Sequence, residues 1–98
     1  MALILLLFSL FIIMSSANAT TLNPSDNIKT TVENTPSGST ITLNPNNGEF
    51  NLKSQIEISN KVITIKSSNT SKNAVINLNK QDRAFFIQNK GKLTLINI

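Results

Sequence analysis

Residues 56–66 read Ile56-Glu57-Ile58-Ser59-Asn60-Lys61-Val62-Ile63-Thr64-Ile65-Lys66, and this stretch decides the fold class. Ile56 and Ile58 flank Glu57, and Ile63 and Ile65 flank Thr64. Successive side chains of a strand point to opposite faces. A period of two therefore puts the isoleucines on one face and Glu57 and Thr64 on the other. β-Branched residues also favour the extended backbone. Ser59-Asn60-Lys61 stands between the two runs, and Asn tolerates the left-handed bend of a tight corner. Two short strands meeting at a corner, with no helix between them, predict an all-β chain.

The pattern extends in both directions. Ile41-Thr42-Leu43, Ile76-Asn77-Leu78, Leu93-Thr94-Leu95 and Ile96-Asn97-Ile98 alternate in the same way. Loop segments separate them: 44–48, 67–73, 79–83 and 89–91, rich in Asn, Ser, Gly and Pro. The triplets also repeat. Ile41-Thr42-Leu43, Ile63-Thr64-Ile65 and Leu93-Thr94-Leu95 are near copies, and a second series begins at Ile56, Ile76 and Ile96. Recurrence in this range is the mark of a solenoid, and several short strands per period make it a β-solenoid. Ile41, Ile63 and Leu93 are expected to stack as one inward ladder, and Leu43, Ile65 and Leu95 as another. Thr42, Thr64 and Thr94 then line the outside. A two-sheet sandwich explains the alternation but not the near-identical triplets.

A short helix is expected ahead of the strands. Thr20 to Pro24 is a polar lead-in, Ser25 offers an N-cap, and Asp26 sits where the helix dipole favours negative charge. Ile28 and Val32 are four apart and share one face, and Pro36-Ser37-Gly38 ends the helix. Earlier still, Ala2 to Met14 is apolar except for Ser9. This run is too short to span a bilayer, but it suits the apolar core of a secretory signal. Ala17-Asn18-Ala19 fits a small-x-small cleavage site before Thr20, although no Lys or Arg precedes the run. The expected layout is a signal peptide at 1–19, a lead-in and capping helix at 20–38, and two to three coils at 39–98. Extracellular or cell-surface residence follows from the signal.

The chain has 98 residues and lacks both Cys and His, so disulfides, thiolate metal sites and imidazole chemistry are excluded. Its net charge is +4, with all Lys and Arg after residue 28. The lysines are spread singly, and Phe50, Phe85 and Phe86 stand in strand-like contexts where they are expected to face the core. Nucleic acid is therefore not an expected partner. Anionic cell-wall polymer, glycan, lipid headgroups or a host surface fit an exported basic chain better, and single lysines also protect sheet edges.

The order Ile28, Val32, Pro36, Gly38, Ile41-Thr42-Leu43, Pro45, Gly48 and Phe50 resembles the N-terminal cap and first coil of right-handed parallel β-helix proteins of the pectin-lyase-like superfamily. The continuation through Leu52, Ile56-Glu57-Ile58, Val62-Ile63-Thr64-Ile65 and Leu93 to Ile98 is similar to the opening coils of secreted adhesin-like surface proteins. The resemblance implies a right-handed parallel β-helix (solenoid) portion with a short capping helix, preceded by a signal peptide. It also implies a non-catalytic binding or structural role at the cell surface. Such proteins run to many coils, so these residues are expected to be the N-terminal part of a longer array. The apolar edge from Leu93 to Ile98 is then expected to pair with further coils or another chain.

The alternative is the leading segment of a carbohydrate-active β-helix enzyme, a polysaccharide lyase or hydrolase with its catalytic residues beyond residue 98. Enzymes of the superfamily use carboxylates, often with calcium. Here Asp26, Glu49, Glu57 and the Asp82-Arg83 pair are scattered, with no spacing that sets two carboxylates on one sheet face. No acidic cluster suits calcium either. No catalytic, cofactor-binding or metal-ligating residue is therefore assigned, and Asp82-Arg83 reads as an exposed turn. Asn69-Thr70-Ser71 is an N-glycosylation sequon in an expected loop, whereas Asn34-Thr35 is followed by Pro36. Asn44, Asn47, Asn60, Asn73, Asn79 and Asn89 flank strands and read as corner residues.

Overall fold

The computed structural model describes residues 18–98, and within them the chain is mostly β-strand with a single α-helix. The elements are β1 (Ala19–Leu22), α1 (Ile28–Asn34), β2 (Thr40–Leu43), a 3-10 turn (Pro45–Asn47), β3 (Phe50–Asn51), β4 (Ile56–Ser59), β5 (Val62–Ser67), β6 (Ile76–Asn77), β7 (Phe85–Gln88) and β8 (Lys92–Ile96). The all-β expectation therefore holds. The expected signal peptide lies mostly outside the described residues. Thr20 to Pro24, expected as a polar lead-in, contains most of β1.

Three sheets form, and every strand pairing is parallel. One sheet has the order β1-β2-β5-β8, the second pairs β3 with β6, and the third pairs β4 with β7. The chain visits the three sheets in turn and then returns to each. In the four-stranded sheet, Ile41 lies beside Ile65, which lies beside Leu95. Thr40, Thr64 and Thr94 form an outward rank. The inward apolar positions make one core of Leu22, Ile28, Val32, Ile41, Leu43, Phe50, Leu52, Ile56, Ile58, Ile63, Ile65 and Ala74.

The register corrects the expected ladders. Ile63 does lie beside Leu93, and Ile65 beside Leu95. Ile41, however, pairs with Ile65 rather than Ile63, and Leu43 pairs with Ser67. A slip of two residues keeps every side chain on its face, so alternation alone does not distinguish the two registers. The corners do. Thr64 donates its backbone N–H to Ser39 O, and Ser68 N–H goes to Leu43 O. Ser67, buried at the Leu43 position, is satisfied inside its own loop: Oγ donates to backbone carbonyls of that loop and accepts from Asn69 N–H. The series beginning at Ile56, Ile76 and Ile96 does not stack, because those residues belong to three different sheets.

Asn27, not Ser25, caps α1: its side chain accepts from Thr30 N–H at 3.0 Å. Asp26 instead closes the preceding turn by accepting from Asn23 N–H. The helix buries Ile28 and Val32 and packs against β4. Its C-terminal carbonyls would otherwise lack donors. Lys61 Nζ supplies them, donating to Val32 O, Glu33 O and Thr35 O at 2.8–3.0 Å.

Asn60, Asn79 and Asn89 adopt the left-handed conformation expected at corners, as does Asn97. Asn79-Lys80 and Asn89-Lys90 form tight turns with both central residues left-handed, closed by Gln81 N–H to Leu78 O and Gly91 N–H to Gln88 O. Asn44, Asn47 and Asn73 do not adopt the left-handed conformation: Asn44 caps the 3-10 turn by accepting from Asn46 N–H, and Asn47 is the last residue of that turn. Gly91 is required by proximity: a Cβ there would lie 2.6 Å from Ile58 O.

Candidate functional site

The carboxylates are dispersed, and four of the five hold the fold together. Glu33 on α1 accepts from Lys29 Nζ at 2.7 Å and from Glu57 N–H at 2.9 Å, tying the helix to β4. Burial alone would raise the Glu33 pKa. The Lys29 and Glu57 hydrogen bonds, with the charges of Lys29 and Lys61, outweigh it and leave the pKa below the ordinary glutamate value. Glu49 accepts from Asn77 Nδ2, and Glu57 accepts from Gln88 Nε2. Asp26 closes its turn. No group of three or more acidic, His or Cys side chains occurs among the described residues.

Asn69 lies exposed in the loop between β5 and β6. Its Oδ1 accepts from Ser71 N–H at 2.8 Å, which folds the sequon into a local turn. Its Nδ2, the atom a glycan would join, makes no hydrogen bond among the described residues.

The charge is unevenly distributed. Residues 18–71 carry Lys29, Lys53, Lys61 and Lys66 against Asp26, Glu33, Glu49 and Glu57. Residues 72–98 carry Lys72, Lys80, Arg83, Lys90 and Lys92 against Asp82 alone. The whole net charge thus resides in the later part.

A surface recess of about 710 Å³ opens there, lined by Gln55, Lys80, Gln81, Asp82 and Arg83. The loop between β6 and β7 supplies four of these residues. Gln81 Nε2 and Asn79 Nδ2 both donate to Leu52 O, which moors the loop to the segment after β3. Arg83 is held twice: its Nε donates to Gln55 Oε1 at 2.8 Å, and its guanidinium lies 4.6 Å from the Phe86 ring centroid. Neither Arg83 nor Lys80 forms a salt bridge among the described residues, where Lys29–Glu33 is the one ion pair.

This corrects one expectation. Phe50 is buried and Phe85 packs on the core, but Phe86 faces outward beside Glu57. Strand alternation carried the signal, because two adjacent aromatic residues in one strand cannot both face inward.

No family model matches the chain, and comparisons with curated proteins and with solved structures return no match.

Proposed function

We propose that residues 39–98 form the first coils of a right-handed parallel β-helix capped by α1, in an exported, adhesin-like protein with a binding or structural role and no catalysis. The observation that carries this reading is the polar seam between successive passes of the chain. Asn23 pairs with Asn44, Glu49 with Asn77, Gln55 with Arg83, Glu57 with Gln88, and Ser59 with Asn89. Each pair joins residues separated by 21 to 31 positions. Such a seam arises when like positions of consecutive coils lie one above the other. The uniformly parallel pairing supports the same reading, because antiparallel hairpins and meanders would build a sandwich.

The scaffold role is favoured by how the carboxylates are used. A polysaccharide lyase or hydrolase needs acidic groups free to face a substrate, whereas Glu33, Glu49 and Glu57 are bound to neighbouring backbone, lysine or amide groups. Export rests on the apolar run from Ala2 to Met14 and the Ala17-Asn18-Ala19 site. Immunoblotting of surface, medium and cytosolic fractions with an antibody to residues 25–66 tests the location. A processed, exported polypeptide is expected. A band confined to the cytosol and still beginning at Met1 would overturn the export reading.

A further inference from the structure

The geometry points to the recess around Arg83 as a binding site for a phosphodiester group of a polyol- or sugar-based polymer. Two contacts fix the guanidinium, through Gln55 on its Nε side and Phe86 under its face. The terminal Nη fork is left over, and such a fork offers parallel N–H groups to an oxyanion. An arginine already held in place loses less freedom on binding than a free surface side chain. The Nε2 amide of Gln55 makes no hydrogen bond among the described residues, and it lies in the same recess as a neutral donor. Lys80 contributes a second positive charge from a left-handed turn position whose loop is moored to Leu52 O.

The charge balance selects the ligand. Lys80 and Arg83 against Asp82 leave one net positive charge at the recess. That matches the single charge of a phosphodiester better than the nearly double charge of a monoester. The polar character of Gln55 and Gln81 suits hydroxyl groups flanking the phosphate. Nucleic acid is disfavoured, because a single outward phenylalanine with the Arg83 guanidinium over its ring does not make the succession of aromatic faces on which bases stack. A membrane surface is disfavoured too, because the lysines are dispersed rather than clustered into the polybasic segment that anionic bilayers attract. The inference rests on the extracellular reading only in favouring a wall-type polymer. Recognition of the phosphodiester is tested in vitro, so its failure and the failure of the export reading are separable.

The experiment titrates the full folded chain with poly(glycerol phosphate), with phosphatidylglycerol vesicles and with oligothymidylate, while amide shifts are followed by NMR. Saturable shifts on Gln55 and residues 80–86 are expected with poly(glycerol phosphate), at affinity above that for the other two probes. Arg83→Lys keeps the charge but removes the fork, and it should weaken binding by about tenfold or more. Asp82→Asn should strengthen it, and Lys72→Ala, in a different loop, should leave it within about twofold. Circular dichroism confirms that each variant is folded. The assignment is overturned by Arg83→Lys binding as well as the parent chain, by shifts spread over Lys72, Lys90 and Lys92, by stronger binding to vesicles or oligothymidylate, or by no shift at all.

Discussion

The helix-covered end of the molecule and the face made by β6, β7 and β8 use the same kind of inward residue with different results. Ile41, Leu43, Ile63 and Ile65 are fully buried, whereas Leu95, the inward neighbour of Ile65, is 46% exposed. At the first end, α1 packs against β4, Lys61 satisfies the helix carbonyls, and Glu33 takes the Glu57 N–H. At the other end, the inward residues Ile87, beside Ile58, and Leu95 are exposed, and a shallow apolar depression is lined by Ala74, Ile76, Phe85 and Ile98 among others. An inward position in a strand is therefore not the same as a buried one. Burial also requires a layer above and polar groups that satisfy the backbone of that layer.

The largest break in this comparison comes from placing one charge at each end. Ile63→Asp puts an uncompensated carboxylate into the packed core and is expected to abolish folding. Leu95→Asp places the same group on the same strand face where water reaches it, and should cost less than about 1 kcal/mol. Thermal melts followed by circular dichroism distinguish them. Equal melting curves for the two variants would refute the contrast between the ends.

A smaller break removes the polar closure. Lys61→Met keeps much of the aliphatic stem but leaves three carbonyls without their donor, and should destabilise the chain by about 1–3 kcal/mol. Lys92→Met on exposed β8 should change stability by no more than about 0.5 kcal/mol. Urea titrations with a common slope measure both.

The smallest effect is that of pH at Glu33. Its pKa is lowered in the folded chain, so its charged form favours the fold. That contribution is fully present above the ordinary value of 4.5 and is lost as pH falls below it through the folded value. Glu33→Gln removes this dependence while retaining an acceptor for Glu57 N–H. Stability measured between pH 6 and pH 3 should therefore fall less steeply in the variant than in the parent chain, and parallel curves would contradict the assignment.

Much of the architecture was legible before the structure. Period-two alternation identified the buried faces of β2, β4 and β5, Ile28 and Val32 named the covering face of α1, and Asn60, Asn79 and Asn89 marked the corners. Register between β2 and β5 was not legible, because Ile41-Thr42-Leu43 matches Ile63-Thr64-Ile65 equally well in two alignments. Loop length and the Thr64 N–H bond to Ser39 O decide it. The helix cap was misplaced by two residues because Ser25, Asp26 and Asn27 are all competent caps, and Asp26 is engaged with Asn23. The recess around Arg83 was the least legible part. It joins Gln55 to Arg83, 28 positions apart in the sequence, and only the parallel pairing of β4 with β7 brings them together, whereas the outward face of Phe86 was already implied by its neighbour Phe85.

The parallel sheet of β2, β5 and β8 is defined by that register, and paired cysteines on its outer face measure it. The chain has no native cysteine, so double variants form a single possible bond. Thr40 lies directly beside Thr64. Neighbouring strands are about 4.8 Å apart, within reach of a disulfide, whereas Thr42 and Thr64 are diagonal at about 8 Å. Under mild oxidation, Thr40→Cys/Thr64→Cys should close rapidly, as should Thr64→Cys/Thr94→Cys, while Thr42→Cys/Thr64→Cys should remain reduced. Rapid closure of the Thr42–Thr64 pair with a reduced Thr40–Thr64 pair would contradict the pairing of Thr40 with Thr64 that defines the sheet.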